Sequence, residues 1–355
     1  MQGRGPKPAQ QTITHSPRAI IKQLDLFSEA PLGRDDSNHA NTIALWDIAP
    51  LWHLRQPKGN PPRVERTFRV PGTHYHVTVD LRPAHLVLEN GKTKTLYPTE
   101  REMIVEETLR MFAANGDGGV SHDLQYITCD FTLGKLRSAL RKEGHDISAQ
   151  YLRESIEVMQ SSSVMFIGDH VGPFGKTNFL PQVSGTDFSQ WQRADTKAQL
   201  RVSFHPLVAY AIRTNQYRMY DYQVSMSLSN PAARYLYKRF THYITAATPL
   251  QSHEFIITGA QRPDDDDIVG LAEESGYYSY ADPKETIKKW RKVADELKTA
   301  GLIHSSIDPY IPAESGKPAK LRLTPSRSLV RIIVEANKHS NKLFENSGKQ
   351  GLLNI

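Results

Sequence analysis

One order of elements occurs twice along this chain of 355 residues: helices that each bury one face, then two strand-like segments joined by a polar connection. The first series covers residues 99–183 and the second covers 230–323. Between them, residues 200–244 read as a strand, a helix, a polar break and a second strand that leads into the next helix. Asn230 suits the N-cap of that helix and Pro231 its first position, where a proline loses no hydrogen bond. A repeated series with a joint in its middle predicts two similar domains.

The first series opens with a helix that starts at a capping box formed by Thr99 and Glu102. A second helix spans residues 131–143, with Gly144 as its stop, and a third spans 148–159. Segments 164–167 and 179–183 are expected to pair around a tip rich in Gly, Pro and Lys, and segment 200–204 completes the group. The buried face of the third helix is predicted to carry Tyr151, Leu152, Ile156 and Met159.

Three helices followed by a β-hairpin are typical of a winged helix, in which the second helix of the helix-turn-helix pair enters the major groove of DNA. In the first series that helix is 148–159, and the hairpin is the wing. We therefore expect DNA contacts from Ser148, Gln150, Arg153 and Lys176.

The second series follows the same order. Its first helix, 230–244, has one apolar face, and Arg234, Lys238 and Arg239 are predicted to point away from it. A strand at 254–258 and an acidic-capped helix at 264–272 come next. The third helix, 283–299, stops at Gly301, after which segments 302–307 and 320–323 are expected to pair as a second wing.

The outer face of helix 283–299 is basic. Basic residues on a solvated helix face are ordinary, and Asp295 and Glu296 dilute them here. The position of this helix, last before a wing as in the first series, nevertheless indicates contact with nucleic acid, mostly with phosphates. The residues assigned to this contact are Lys284, Lys288, Lys289, Arg291 and Lys292.

The predicted fold class is α+β, with two tandem winged-helix domains behind a disordered N-terminal tail. Residues 1–40, which are polar and rich in Pro, form the tail; 41–214 form the first domain, 215–335 the second, and 336–355 a flexible tail. Residues 41–54, with two tryptophans, are expected to pack on the first domain. Residues 73–81 alternate as a strand, and Asn90 with Gly91 forms the turn of a β-hairpin.

One apolar pentad interrupts the tail. It consists of Gln23, Leu24, Asp25, Leu26 and Phe27, and it resembles the pentapeptide by which bacterial replication proteins bind the sliding clamp. The resemblance implies that the glutamine bonds at the rim of a pocket on the clamp, while leucine and phenylalanine fill it. The alternative is that this segment docks on the protein's own body.

Composition narrows the class of protein. The chain has 44 Lys and Arg against 38 Asp and Glu, a net charge of +6, which permits a nucleic-acid partner. Its single cysteine, Cys129, excludes an intrachain disulfide and a zinc cluster of thiolates. No signal peptide and no membrane span are visible, so a cytoplasmic location without membrane contact is expected. No metal and no cofactor are predicted.

None of the sequence motifs establishes a catalytic site. Gly175-Lys176-Thr177 and Gly91-Lys92-Thr93 resemble the end of a phosphate-binding loop, but His170 and Leu86 stand where its first glycine belongs. His74 and His76 share one face of a strand and resemble the metal-binding histidines of rolling-circle nickases, which also need a tyrosine such as Tyr280. The order of domains fits that family poorly, and exposed strand histidines are the preferred interpretation. The protein is therefore not expected to be an enzyme.

The joint carries a family resemblance. Phe204-His205-Pro206-Leu207, and then Leu228-Ser229-Asn230-Pro231-Ala232-Ala233-Arg234-Tyr235-Leu236-Tyr237, resemble the domain junction of plasmid replication initiators, those of the TrfA type in particular. Residues 324–328, Thr-Pro-Ser-Arg-Ser, are similar to the end of the second domain in that family. The resemblance covers residues 95–335.

The resemblance implies a replication initiator that binds direct repeats, called iterons, in double-stranded origin DNA. Such a protein promotes origin opening and recruits host replication proteins, namely the sliding clamp together with the replicative helicase and the host initiator. It also implies a homodimer in equilibrium with a monomer, with the first domain supplying the dimer contact. A winged-helix transcriptional repressor is the alternative; it would bind an inverted repeat and have no use for the pentad.

Overall fold

The computed structural model describes residues 39–349, apart from 70–75, 89, 121–125, 169–174, 186, 214–216, 244–250, 259–269 and 315–317. The clamp-binding prediction at Gln23–Phe27 and the histidine prediction at His74 lie outside the described residues. His76 is described and is exposed on a strand. None of the helices in the described part of the chain combines the length and the apolar character that crossing a membrane requires.

The N-terminal segment supplies strands to the body of the protein. Its elements are β1 (His39–Thr42), α1 (Ala44–Asp47), β2 (Val64–Arg69), β3 (His76–Arg82), β4 (Ala84–Val87) and β5 (Thr93–Leu96). Strands β4 and β5 form the predicted hairpin, with Gly91 at φ +76°, a left-handed conformation that glycine adopts without strain. Trp46 is buried against Phe166 and Phe179, which confirms that this segment packs on the first domain.

The first winged-helix unit follows. It contains α2 (Glu100–Phe112), β6 (Gly118–Val120), β7 (Ile127–Thr132), α3 (Leu133–Lys142), α4 (Ala149–Ser161), β8 (Ser163–Ile167) and β9 (Thr177–Asn178), with a π-helical turn at Ala113–Asp117. The capping box is confirmed, because the Thr99 backbone N–H donates to Glu102 Oε2 at 2.8 Å. The stop at Gly144 is confirmed by its φ of +88°. Strands β8 and β9 form the wing, and β3 and β2 extend it into a four-stranded sheet.

The pairing of the first wing differs from the prediction. The partner of β8 is Thr177–Asn178, whereas segment 179–183 turns away. Phe179 is buried against Trp52, and Leu180 donates its N–H to Met159 O, so the chain enters the core at this point. The next elements, β10 (Gln182–Gly185), α5 (Phe188–Gln192) and β11 (Gln199–Ser203), continue into a separate sheet of order β10-β11-β7-β6.

The second winged-helix unit is reached through α6 (Pro206–Arg213), β12 (Arg218–Asp221) and α7 (Tyr222–Ser227). Its elements are α8 (Pro231–Tyr243), β13 (His253–Ile256), α9 (Leu271–Ser275), α10 (Pro283–Thr299), β14 (Tyr310–Ile311) and β15 (Lys320–Leu323), and α11 (Arg327–Lys349) follows. The sheet order is β13-β15-β14, so the strand after the first helix pairs with the last strand of the wing. The α+β class with two winged-helix units is therefore confirmed.

Two details of the second unit correct the prediction. Segment 302–307 is not a wing strand, and Tyr310–Ile311 takes that place beside β15. Leu302 and Ile303 are buried directly after α10, and their partner is the chain just after β15 instead of Lys320–Leu323: Ile303 forms an antiparallel bridge with Pro325, and the His304 N–H donates to Thr324 O at 2.8 Å. The predicted bounds 264–272 for the short helix are wrong: the helix is Leu271–Ser275, and Gly270, with extended backbone, is its N-cap. The aspartates predicted to cap it lie outside the described residues.

Helix α8 runs through the centre of the molecule. Every residue from Pro231 to Thr241 is buried, including Arg234, Lys238 and Arg239, which were predicted only to point away from the apolar face. Apolar packing on one face was predicted correctly, but the opposite face is covered by elements distant in sequence, among them α1 and α2. The three cations are buried because acidic side chains of those elements meet them.

Strand β12 connects the start and the end of the described chain. It pairs with β1 in an antiparallel two-stranded sheet, and α11 packs on it, with Arg218 donating to the Asn337 side chain. The predicted domain boundary at 214/215 lies outside the described residues and remains a prediction. Strand pairing nevertheless crosses it.

Candidate nucleic-acid interface

Helix α10 begins at a strong local signal. The Asp282 side chain accepts a hydrogen bond from the Lys284 N–H at 2.9 Å, and Pro283 occupies the first turn. The buried face carries Trp290, Val293 and Leu297, as the spacing predicts. One face of the helix is fixed in the core, and the opposite face lies on the surface.

The predicted cations of α10 all lie on this helix, and four of them are exposed: Lys284, Lys288, Arg291 and Lys292. Lys289 is half-buried, with its ammonium 5.9 Å from the centroid of the Tyr278 ring. The Arg291 guanidinium lies 4.5 Å from the centroid of Tyr310 in wing strand β14. The recognition helix and the wing are thus connected by an arginine–aromatic contact.

The acidic residues of α10 leave this face largely positive. Glu285 lies 3.2 Å from the Lys288 ammonium, an exposed pair of little energetic weight. Glu296 turns away from the face and accepts hydrogen bonds from the N–H groups of Ser229 and Asn230, at 2.5 Å and 3.1 Å. Glu296 therefore serves to hold the start of α8 and does not neutralise the lysines.

The wing of the second unit carries its own charges. Lys320 and Arg322 of β15 both reach Glu254 of β13, at 3.1 Å and 2.8 Å. These hydrogen bonds lower the pKa of the exposed Glu254 carboxyl. Two cations against one carboxylate leave the sheet face with an excess of positive charge beside α10.

The residues predicted on α4 have a different setting. Ser148 caps the helix and accepts a hydrogen bond from the Tyr151 N–H at 3.3 Å. Gln150 and Lys176 are exposed. Arg153 donates to the Gln192 carbonyl and lies 3.6 Å from Glu157. Contact of these four residues with DNA remains a prediction, and Arg153 is the one already engaged within the protein.

Tyr151 was predicted on the buried face of α4, and that prediction is wrong. Its side chain is 57% exposed, and the Arg101 guanidinium lies 5.4 Å from its ring centroid. Leu152, Ile156 and Met159 already fill the core side of the helix. Tyr151 directly precedes Leu152, so its side chain is rotated by about 100° from that of Leu152 around the helix axis. An exposed tyrosine near the start of α4 is therefore a candidate contact residue that the sequence interpretation missed.

Helix α4 is flanked on both sides. On one side, Lys94 of hairpin strand β5 donates to Glu154 at 2.7 Å, and Arg101 donates to the same carboxylate at 2.8 Å. Burial would raise the pKa of Glu154, but the hydrogen bonds from Lys94 and Arg101 outweigh it and lower that pKa. On the other side, Arg153 reaches α5. Helix α4 therefore lies in a channel between the β4–β5 hairpin and α5.

A buried group of charges lies where the two units meet; we call it the joint cluster and define it as Asp47, Glu106, Glu107, Arg110 and Lys238. Arg110 donates two hydrogen bonds to Asp47, at 2.7 Å and 2.8 Å, and one to Glu106 at 3.0 Å. Lys238, from the first helix of the second unit, contacts Asp47 at 3.1 Å and also donates to Glu107.

The pKa values reflect the balance of charges in the joint cluster. Burial would raise the pKa of Asp47, but the charges of Arg110 and Lys238 outweigh it and hold that pKa well below its usual range. Glu106 has only the Arg110 guanidinium as a close partner, so burial dominates and raises its pKa to about 7. Two further ion pairs hold α8 outside the cluster: Arg234 with Glu100 at 3.2 Å, and Arg239 with Glu274 at 2.5 Å.

No metal-binding group stands out in the part of the chain that is described, where no three His, Cys, Asp or Glu side chains cluster suitably. Cys129 is buried, and burial raises the pKa of its thiol. Burial also lowers the pKa of His205 to about 3, so this imidazole is neutral at physiological pH. The expectation that the protein is not an enzyme remains a prediction.

The fold defines a protein with two winged-helix units, and α10 gives the second of them an exposed basic face. No sequence-family model matches the chain, and no curated protein matches it either. Among solved structures, two crystal structures of domains 2 and 3 of RctB are each 10% identical to it, with TM-scores of 0.41; they cover 79% and 82% of this chain, and 98% and 99% of their own.

A third solved structure is the Pi initiator protein in complex with iteron DNA. It is 14% identical, has a TM-score of 0.39, and covers 64% of this chain and 90% of its own. With TM-scores near 0.4, these similarities are too low to decide a function. The proposed function therefore rests on the residues of this chain.

Proposed function

We propose that this protein is a plasmid replication initiator that binds direct repeats in origin DNA through its two winged-helix units. The observation that carries the proposal is the exposed basic face of α10, joined to its wing by the contact between Arg291 and Tyr310. A helix in this position enters the major groove, and its lysines and arginines neutralise phosphates on either side. The resemblance of residues 200–244 and 324–328 to initiators of the TrfA type supports the same conclusion.

The arrangement of the units favours direct repeats over inverted repeats. Palindromic sites match proteins with two-fold symmetry, in which two identical recognition helices are related by rotation. Here the two recognition helices belong to one chain, and they differ: the outer side of α4 carries Glu154 and Glu157, whereas α10 is basic. One molecule thus binds an asymmetric sequence, and several molecules bind copies that point the same way. Binding to direct repeats instead of an inverted repeat distinguishes an initiator from a symmetric repressor.

The joint cluster supports the pairing of the two units on one DNA molecule. Ion pairs from Lys238 to Asp47 and Glu107 cross from the second unit to the first. Buried pairs of this kind fix an arrangement, because breaking one leaves an unpaired charge in the core. Two recognition helices at a fixed separation select a fixed spacing between their half-sites.

The experiment that tests the proposal is a footprint on the DNA beside the protein's own gene. Protection of direct repeats is the expected result, and protection of an inverted repeat would contradict it. Substituting Lys288→Ala with Lys289→Ala should weaken binding to any DNA and reduce the salt slope by about two units if both touch phosphate. The matched control is Lys58→Ala with Lys197→Ala, which removes two exposed lysines from other parts of the surface and should leave the slope near that of the wild type.

Recruitment of host proteins belongs to the proposal as well. The pentad Gln23–Phe27 would bind the sliding clamp, and the double substitution Leu26→Ala with Phe27→Ala should abolish clamp pull-down while footprints persist. If the double variant still bound the clamp in the pull-down, the pentad would be ruled out as the clamp-binding site. A homodimer that dissociates to a DNA-binding monomer should appear as two species in gel filtration, with the smaller favoured by dilution and by added origin DNA. We also propose that the protein acts without nicking DNA, which supercoiled plasmid incubated with Mg²⁺ would test.

A further inference from the structure

The β4–β5 hairpin ends in two exposed aliphatic side chains. Val87 is 76% exposed and Leu88 is 41% exposed. The turn that carries them is well bonded: the Leu88 N–H donates to Lys92 O and the Gly91 N–H to Leu88 O, each at 2.8 Å, and the Asn90 side chain accepts from the Lys92 N–H at 3.0 Å. Burial of such side chains on binding is favourable. The described residues of the turn thus hold two apolar side chains at an exposed position.

The hairpin lies beside the recognition helix of the first unit. Strand β4 packs along α4, and the salt bridge from Lys94 to Glu154 ties β5 to the same helix. An α-helix with its side chains is about 10–12 Å across, and the major groove is about 12 Å wide. A helix in the groove therefore fills it, and an element flanking that helix lies over the bordering phosphates and the next minor groove.

The chemistry of the tip matches that position. Exposed Lys92 lies across the turn from Leu88 and can neutralise a phosphate while the apolar tip enters the groove. Proteins that bend DNA through the minor groove use such apolar wedges between base pairs, which unstack one step and kink the duplex. A protein partner would need a contiguous apolar patch of several hundred Å². Two side chains at the end of a ribbon are too few for that.

We propose that Val87 and Leu88 form a wedge that enters the minor groove next to the α4 site and unstacks a base step there. The inference rests on the proposed function, since it requires DNA in the groove beside α4. Pyrimidine–purine steps such as TA unstack most easily, so the wedge acts best where the flanking DNA contains them. The hairpin would then contribute to opening the duplex, in addition to the binding supplied by α10.

The test compares Val87→Ser with Leu88→Ser, made together, against the wild type on a short duplex that carries the footprinted repeat. Dyes at the two ends report bending by energy transfer, and 2-aminopurine at each TA step reports unstacking by increased fluorescence. The serine variant should bind within a few-fold of the wild-type affinity, with an unchanged salt slope, and should lose the fluorescence increase and most of the bend. The conservative variant Val87→Ile with Leu88→Met keeps an apolar tip and should behave as the wild type.

The outcomes are distinguishable. A serine variant that bends and unstacks the duplex as the wild type does would overturn the inference and leave the proposed function intact. If the serine substitutions changed only the oligomeric state, the tip would be a protein contact, and the inference would be overturned as well. A wild-type protein that fails to bind the repeat would remove both proposals. Because both side chains are exposed, the circular dichroism and melting temperature of the serine variant should match those of the wild type.

Discussion

Lys238 of α8 donates a hydrogen bond to Glu107 of α2, which places an ammonium of the second winged-helix unit within the buried charges of the first. Both side chains are almost inaccessible to solvent. Their pairing means that the first helix of one unit completes the core of the other.

Removing the Lys238 charge should strongly destabilise the protein. Lys238→Met keeps the length of the side chain but leaves Asp47 and Glu107 without their shared cation, at a cost of about 3–5 kcal/mol. Urea denaturation of both proteins measures the difference. The same exchange at exposed Lys288 should have almost no effect. A Lys238→Met protein as stable as the wild type would show that the ion pairs do not hold the joint.

Glu106 should make stability depend on pH in a direction that is unusual for a carboxylate. Its pKa rises from 4.5 to about 7 in the folded state, so the folded protein binds the proton more tightly, and this contribution is lost as pH rises from about 4.5 to 7. Glu106→Gln mimics the protonated form. The free energy of unfolding of this variant should therefore equal that of the wild type near pH 4. Above pH 7 it should exceed the wild-type value by at most about 3 kcal/mol.

The comparison with Glu106→Gln is needed because other buried groups titrate in the same range. Burial lowers the pKa of His53 and His205 to about 3 and that of His242 to about 4. The contribution of these histidines to the stability of the protein is lost as pH falls below the pKa that histidine has in the unfolded chain. This is the opposite direction to Glu106. They are present in both proteins, so they cancel in the difference. A difference that stays constant from pH 4 to pH 8 would contradict the raised pKa of Glu106.

Glu102 should contribute more to the stability of the protein than an ordinary helix cap does. Its carboxylate accepts hydrogen bonds from the Thr99 N–H and hydroxyl and from Ser155 of α4, at 2.8, 2.7 and 2.8 Å. Glu102→Ala should cost about 1–2 kcal/mol for the cap and a similar amount for the buried serine left unpaired. Thermal denaturation measures this loss. Glu285→Ala, which also lies in the first turn of a helix but is exposed, should shift the melting temperature much less.

The contact between Arg291 and Tyr310 should orient the guanidinium for DNA without adding a charge. Tyr310→Ala should weaken DNA binding several-fold while the salt slope stays the same, because the number of cations at the interface is unchanged. Tyr310→Phe retains the ring and should bind as the wild type. Equilibrium titrations at several salt concentrations separate affinity from slope. A reduced slope in the alanine variant would mean that Arg291 had left the interface altogether.

Local signals predicted much of this fold. The pair Thr99 and Glu102, the stop at Gly144 and the turn at Gly91 each depend on a few neighbouring residues, and the structure confirms all three. The inward face of α10 followed from spacing alone, because helical periodicity fixes which side chains share a face. Its basic outer face was therefore visible in the sequence, although its role in binding DNA is still to be tested.

Features that depend on distant residues were missed. The burial of Lys238 was not predicted, because its partners Asp47 and Glu107 lie far away in the sequence. The wing strand Tyr310–Ile311 is only two residues long and carries no periodic pattern. The exposure of Val87 depends on where the β4–β5 hairpin docks, which local composition does not encode. These contacts form only when separate elements meet.

The pairing of β1 with β12 bears on how this chain is made. Strand β1 is synthesised near the start, whereas its partner leaves the ribosome only after the whole first winged-helix unit has been translated. A strict sequence of domain folding during synthesis, first one and then the other, therefore cannot complete the molecule. The earliest of the described strands must wait, unpaired, until the joint emerges, and a nascent chain stalled before β12 would display an open strand edge to other proteins in the cell.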